Sequence, residues 1–141
     1  MARNRTVLDI ISKAALEIGI TQKPVGSVVS SPDQDITQMR ELLYAVADEV
    51  LAEEPYDTFL GDGMWVRNME TDDFSDVITS DDDIVAFDAR LAVNGLKWRF
   101  LAAKGLEFGE QQRDFTFRMN KLAAFYNRKV LDLDLDWSAQ Q

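Results

Sequence analysis

Cysteine and histidine are both absent from this chain of 141 residues. Without cysteine the chain cannot form a disulfide or a thiolate zinc site, and without histidine it lacks the commonest general base and metal ligand. Nucleophilic triads of the Ser-His or Cys-His kind are therefore excluded. Only carboxylates, lysines and tyrosines remain for catalysis, so we expect a protein that is not an enzyme and that has no catalytic residues, metal or cofactor.

Long apolar runs are missing as well. No run approaches the roughly 20 residues that cross a bilayer. The short basic N-terminus is followed by Asp9, Lys13 and Glu17, where a secretory signal would be uncharged. Apolar residues still make up 46% of the chain, enough for one globular core. We therefore expect a protein that is made in the cytoplasm and does not enter a membrane.

Positive charge is scarce in the first two thirds of the chain. Residues 1–96 contain 7 basic and 19 acidic side chains, whereas residues 97–129 contain 8 basic and 3 acidic ones. A net charge of −10 makes duplex DNA a poor partner, because duplex binding depends on the neutralisation of phosphates. An acidic and a basic region in one chain instead predict head-to-tail contact with copies of itself or with a charged partner.

Capping signals predict the first two helices. Thr6 is a suitable N-cap for the first helix, which we expect to end at Gly19. Ser31 followed by Pro32 predicts the start of the second helix. The second helix should stop at Glu54, because the residue before a proline avoids the helical conformation.

Two further helices are predicted in the second half of the chain. Ser80 and the acidic residues 81–83 indicate the N-terminus of the third helix, which we expect to reach Lys104. Gly95 lies within this helix and predicts a close crossing with another helix. The fourth helix is expected over residues 106–129.

Residues 55–80 break the helical period and predict either an irregular loop or a small hairpin. The predicted fold class is therefore all-α: a four-helix bundle-like domain over residues 1–129, with this loop or hairpin between the second and third helices. An extended C-terminal arm, residues 130–141, should follow the domain.

The arm contains the sequence "VLDLDLDW", in which apolar and acidic residues alternate. Alternation with a period of two predicts a strand with one apolar and one acidic face. We expect the arm to contact a neighbouring chain by strand addition, although it could instead fold back as an edge strand on residues 55–80. The apolar residues expected to make the contact are Leu131, Leu133, Leu135 and Trp137.

Two other sets of residues are candidates for partner contact. Phe100 and Phe117 lie off the apolar stripes of their helices and predict a second apolar face. A basic face for neighbouring subunits or other partners is predicted from Arg113, Arg118, Lys121, Arg128 and Lys129.

Three stretches together resemble the head-to-tail adaptor proteins of tailed bacteriophages, also called connector, head-completion or packaged-DNA-stabilisation proteins. They are "TVLDIISKAALEIG", "SPDQDITQMRELLYAVADEV" and "LAVNGLKWRFLAAKGLEFGEQQRDFTFRMNKLAAFYN". The resemblance covers residues 6–54 and 84–129, and "LKWRFLAAKGLEF" followed by "RDF" is its most telling part.

This resemblance implies a virion protein at the head-tail junction. Typically about twelve copies form a ring beneath the portal protein in such families, extend the DNA channel and offer a platform for a tail protein. The C-terminal arm commonly reaches the portal or an adjacent subunit. Packaged DNA would pass through the ring without sequence-specific binding, and we expect carboxylates to line the lumen.

Other functions are weighed against this one. Basic and aromatic residues alternate in residues 97–129, as in single-strand nucleic-acid binding, which would suit a small DNA-accessory or regulatory protein. A pair of carboxylates could also serve as the acid and base of a cell-wall hydrolase. With 25 acidic residues, however, some pair will always lie at a suitable distance, so such a pair indicates nothing. The acidic clusters do not have the ligand spacing of a calcium loop.

Overall fold

Residues 4–53 and 63–139 are described by the structure, a computed structural model, and residues 126–139 are described for their backbone alone. Within these residues there are four helices and four short strands. The helices are α1 (Val7–Glu17), α2 (Gln34–Leu51), α3 (Ala89–Ala103) and α4 (Gly109–Ala139). The strands are β1 (Arg5–Thr6), β2 (Val66–Asn68), β3 (Asp73–Ser75) and β4 (Ile84–Val85). The all-α prediction is therefore wrong, and the fold is mixed α/β.

The strands form one antiparallel sheet in the order β1-β4-β2-β3. Strand β4 is paired on both sides, with Thr6 of β1 opposite Ile84 and Val66 of β2 opposite Val85. Strands β2 and β3 form a hairpin, so the described part of residues 55–80 contains a hairpin rather than a wholly irregular loop. Strands of two or three residues are too short to show an alternating pattern, which is why the sequence did not predict the sheet.

The predicted start and end of the first helix are confirmed. Thr6 is the N-cap of α1, and its hydroxyl oxygen accepts a hydrogen bond from the Asp9 N–H at 3.1 Å. Gly19 follows the helix with a φ of 81°, a left-handed conformation that glycine adopts without strain.

The second helix exists, but its predicted cap is wrong by two residues. Asp33 is the N-cap of α2, and its carboxylate accepts a hydrogen bond from the Asp35 N–H at 2.8 Å. Ser31 instead uses its hydroxyl to accept a hydrogen bond from the Asp33 N–H at 3.2 Å. The ionised carboxylate is the stronger acceptor for the helix terminus, and the serine orders the turn before it. The helix ends at Leu51, before the predicted end at Glu54.

The acidic residues 81–83 do not start the third helix, contrary to the prediction. The chain first forms β4, and α3 begins only at Ala89, with Asp88 as its N-cap. The Asp88 carboxylate accepts a hydrogen bond from the Leu91 N–H at 3.0 Å. The earlier aspartates are not available as caps, because two of them accept hydrogen bonds from distant parts of the chain.

Asp83 is fully buried and fastens the β2–β3 hairpin to β4. Its carboxylate accepts hydrogen bonds from Asn68 Nδ2 at 2.9 Å, from the Thr79 N–H at 2.8 Å and from the Ser80 N–H at 3.1 Å. Burial raises the pKa of the Asp83 carboxyl, but these hydrogen bonds outweigh burial and hold the pKa below its usual value. The carboxylate is therefore bound as an anion.

Asp81 fastens the loop between α1 and α2 in the same way. Its carboxylate accepts hydrogen bonds from the Val28 N–H at 2.9 Å and the Val29 N–H at 2.8 Å, and from the Ser27 hydroxyl at 2.9 Å. Burial raises the pKa of the Asp81 carboxyl, but the hydrogen bonds from Val29 and Val28 lower it further than burial raises it.

Helix α3 is central to the core, because it packs against α1, α2 and α4. Its buried side chains are joined by apolar side chains from the other helices and from the sheet. The most deeply buried large side chains of the described residues include Ile10, Ile11, Leu43, Val46, Leu91, Leu96 and Phe115.

Gly95 lies where α3 closely approaches side chains of α2 and α4. A Cβ atom at this position would lie 2.7 Å from Cγ1 of Val46 and 2.9 Å from Cε1 of Phe115. Both distances are shorter than any van der Waals contact between carbon atoms. The prediction of a glycine at a close helix crossing is confirmed.

Gly95→Ala should lower the free energy of unfolding by about 1–3 kcal/mol, because the methyl group overpacks this crossing. Val46 cannot easily move aside, since a β-branched side chain in a helix has one strongly preferred rotamer. Gly26→Ala is the matched control: no atom lies within 4 Å of its Cβ position, and a change below about 0.5 kcal/mol is expected there. Equal urea-unfolding curves for the two variants would contradict the crossing.

Asp83→Asn should destabilise the fold by about 1–3 kcal/mol at pH 7, because the amide presents donors to the N–H groups that now bind the carboxylate. The pKa of Asp83 is lower in the folded than in the unfolded state. The stabilisation is therefore complete above the unfolded pKa, near 3.8, and is lost as the pH falls through the folded pKa.

The stability gap between wild type and Asp83→Asn should accordingly shrink below about pH 4. Urea unfolding between pH 7 and pH 2.5 measures this gap. Asp82→Asn, a change in the exposed neighbour, should leave both stability and its pH dependence as in the wild type. A gap of constant size across this pH range would refute the role given to the Asp83 carboxylate.

Candidate interaction surfaces

Helix α4 is twice as long as the helix it packs against. Its 31 residues extend about 46 Å, whereas the 15 residues of α3 extend about 22 Å. The buried residues of α4 within the range described for side chains end at Leu122. By length alone, α4 extends about 24 Å further than α3.

The backbone of residues 130–139 is helical, so the prediction of an extended arm is wrong for these residues. No glycine or proline interrupts the chain after Gly109. A helix satisfies its backbone hydrogen bonds within the segment, whereas a lone strand leaves them without partners. The side chains of Leu131, Leu133, Leu135 and Trp137 lie outside the described residues, and their contact with a partner stays a prediction.

The residues of the predicted basic face lie in different environments. Arg113 and Lys121 are exposed on α4. Arg118 turns toward α3 and forms an ion pair with Asp88. The side chains of the two remaining members, Arg128 and Lys129, lie outside the described residues.

Other basic residues of the second half are paired with acidic residues of the first half. Lys97 Nζ lies 2.9 Å from a Glu17 carboxylate oxygen, and Lys104 Nζ lies 3.2 Å from one of Asp35. Arg99 forms an ion pair with Glu49 of α2. With Arg118 and Asp88, this makes four ion-paired cations among the six basic residues of 97–125, the part of this region whose side chains are described.

Glu17 at the end of α1 binds two cations of α3. Its carboxylate accepts hydrogen bonds from Arg90 at 2.7 Å and from Lys97 at 2.9 Å. Partial burial raises the pKa of the Glu17 carboxyl, but the Lys97 hydrogen bond and the nearby Arg90 charge more than offset burial, so the pKa is lowered. These contacts hold α1 against α3.

The two predicted partner-facing phenylalanines differ in burial. Phe100 is only 5% exposed and belongs to the core, so it is not a surface residue. Phe117 is 71% exposed. Arg113, Phe117 and Lys121 are spaced by four residues and share the outward face of α4, opposite the buried Phe115.

A cleft that the sequence did not predict lies between α1, the start of α3 and the middle of α4. Its volume is about 610 Å³. Ile10, Leu16 and Val93 contribute apolar surface. The charged residues that line the cleft are Arg5, Asp9, Lys13, Asp88, Arg90 and Arg118. They come from three stretches, residues 5–13, residues 88–90 and residue 118, which are far apart in the sequence, so only the fold reveals that these stretches meet.

The Asp88–Arg118 ion pair lies in this cleft. Asp88 is 1% exposed, and Arg118 contacts both of its carboxylate oxygens, at 2.5 Å from Nε and 3.0 Å from Nη2. The same carboxylate caps α3, so the pair joins the start of α3 to the middle of α4. Guanidinium, ammonium and apolar groups together suit the binding of an anionic ligand that has apolar parts.

Within the described parts of the chain, no three acidic residues gather into a group that could hold a metal ion. Among the same residues, none of the helices has both the length and the apolar character needed to cross a membrane.

Comparison with known proteins returned no matching family model, no matching curated protein and no matching solved structure. The resemblance to phage adaptor proteins therefore stays a prediction from the sequence.

Arg118→Ala should lower the free energy of unfolding by about 2–3 kcal/mol, because it leaves the buried Asp88 carboxylate without its main counter-charge. Arg113→Ala on the exposed face of the same helix is the control, with a change within about 0.5 kcal/mol. Adding Asp88→Asn to Arg118→Ala should recover part of the loss, since the buried charge is removed. Thermal and urea unfolding measure all three, and equal effects of the two arginine variants would contradict this account.

Proposed function

We propose that this chain is a head-to-tail adaptor of a tailed bacteriophage: a structural subunit that forms a ring under the portal protein, extends the DNA channel and joins the tail. The ring would contain about twelve copies and would belong to the virion. Its work would be done through contact with proteins rather than through chemistry.

The observation that carries the proposal is the length of α4. With 31 residues against the 15 of α3, α4 has a length of helical backbone that α3 cannot match. The sequence of this part ends in Leu131, Leu133, Leu135 and Trp137, which are residues with a large apolar surface. Such a projecting segment supports docking on another protein.

The resemblance of three sequence stretches to the adaptor family also supports the proposal. The charge pattern supports it less than the sequence suggested, because four of the six basic residues described for their side chains in this region have acidic partners within the chain. These ion pairs also argue against a DNA-accessory protein. Such a protein would need the same cations to bind the phosphates of DNA.

Deletion of residues 130–141 should leave the bundle folded and abolish incorporation into particles. The deletion keeps Phe115, Met119 and Leu122, the buried residues of α4 among those described for their side chains, so the far-UV circular dichroism per helical residue and the cooperative unfolding should persist. The matched control is deletion of residues 138–141 alone, which keeps all four apolar residues and should be incorporated normally. Mass spectrometry of purified particles measures incorporation, and normal incorporation of the longer deletion would refute docking through this segment.

A further inference from the structure

The cleft between α1 and α3 is locally positive on a chain whose net charge is −10. Four cations and two carboxylates line it. Two of the cations are engaged: Arg118 binds Asp88, and Arg90 binds Glu17.

The other two cations lie at the rim and are open to a ligand. Arg5 is exposed, and no ion pair joins it to another described residue. Lys13 is 64% exposed, and its Nζ is 4.0 Å from the nearest Glu17 oxygen, a distance at which an exposed pair contributes little.

Apolar surface lies beside these cations. Leu16 supplies most of this surface, since it is 37% exposed, whereas Ile10 and Val93 also line the cleft but are 1% and 3% exposed. A free phosphate would leave this apolar surface wet, and a purely apolar peptide would leave the cations without partners. The fitting ligand is a short peptide that combines carboxylates with large apolar side chains.

The chain itself contains such a peptide. Residues 131–137 carry three leucine side chains and a tryptophan, interleaved with Asp132, Asp134 and Asp136. Charge and apolar character both complement the cleft.

This segment cannot reach the cleft of its own chain while α4 stays continuous. Arg118 borders the cleft, and Leu131 lies 13 residues further along the same helix. The rise of a helix places it about 20 Å beyond Arg118 along the axis. The segment is therefore presented to another molecule.

We propose that the cleft of one copy binds residues 131–137 of a second copy, with Arg5 and Lys13 contacting the aspartates. Each copy then offers one segment and one cleft, a heterologous contact that closes into a ring or continues as a filament. The inference rests on the proposed function, since it names the contact between neighbours in the ring. Binding between copies is nevertheless measured on the purified chain, so the contact can fail while the adaptor function holds, and the adaptor function can fail while the contact holds.

The test is a charge exchange, measured by sedimentation of the purified full-length chain. The cleft variant is Arg5→Glu with Lys13→Glu, and the segment variant is Asp132→Lys, Asp134→Lys and Asp136→Lys. Each should weaken self-association by about tenfold or more, because like charges then meet across the contact. A chain that carries all five changes should regain most of the association.

The matched control is Arg113→Glu with Lys121→Glu, the same change of charge at exposed positions outside the cleft. Its self-association should equal that of the wild type. Circular dichroism and thermal unfolding establish that each variant is folded.

Four results would overturn the inference. The first is a wild-type chain that stays monomeric at millimolar concentration, and the second is a cleft variant or a segment variant that associates like the wild type. The third is a chain with all five changes that regains no association. The fourth is a control variant whose association weakens as much as that of the cleft variant. Association that requires added single-stranded DNA would also overturn it, since the cleft would then be a nucleic-acid site. If the polypeptide is nevertheless present in purified particles, the adaptor proposal stands, and the contact between neighbouring copies lies elsewhere on the chain.

Discussion

The fold depends on carboxylates within one short stretch, residues 81–88. Asp81 binds the N–H groups of the loop between α1 and α2, and Asp83 binds those of the hairpin region. Asp88 caps α3 and pairs with Arg118 of α4. The backbone of the same stretch forms β4, which pairs with β1 on one side and with β2 on the other. Three anions bound by oriented donors thus connect the loop, the sheet and the last two helices, and they place the cleft between α1, α3 and α4.

Most of the cations whose side chains are described form ion pairs within the molecule. Acidic residues of α1 and α2 neutralise cations of α3 and its C-terminal cap through pairs such as Glu17 with Lys97 and Glu49 with Arg99. The basic region seen in the sequence is therefore not a free basic surface. Surfaces that the described structure leaves for partners include the rim of the cleft and the outward face of α4 around Phe117. This arrangement fits a subunit that works by contact.

Local signals in the sequence predicted the parts of the fold that depend on local physics. The Thr6 cap and Gly19 follow from the requirements of helix ends, and Gly95 from the space between helices.

The sheet was missed, because its strands are two or three residues long and are held by tertiary hydrogen bonds. Residues 81–83 looked like a helix cap, since a local reading cannot distinguish an aspartate that caps from one that binds a distant N–H. The cleft forms only where α1, the start of α3 and the middle of α4 meet, and it left no signal in the sequence. The alternation in residues 130–137 predicted a strand, but the backbone there is helical. A helix satisfies the backbone N–H and C=O groups without a partner strand.

The most direct test of the adaptor account is the number of copies of this polypeptide in each purified virus particle, measured by quantitative mass spectrometry against the major capsid protein. The account predicts about twelve copies per particle, the content of one closed ring at a single vertex. Absence from mature particles, or a copy number that rises in proportion to the capsid protein, would contradict it.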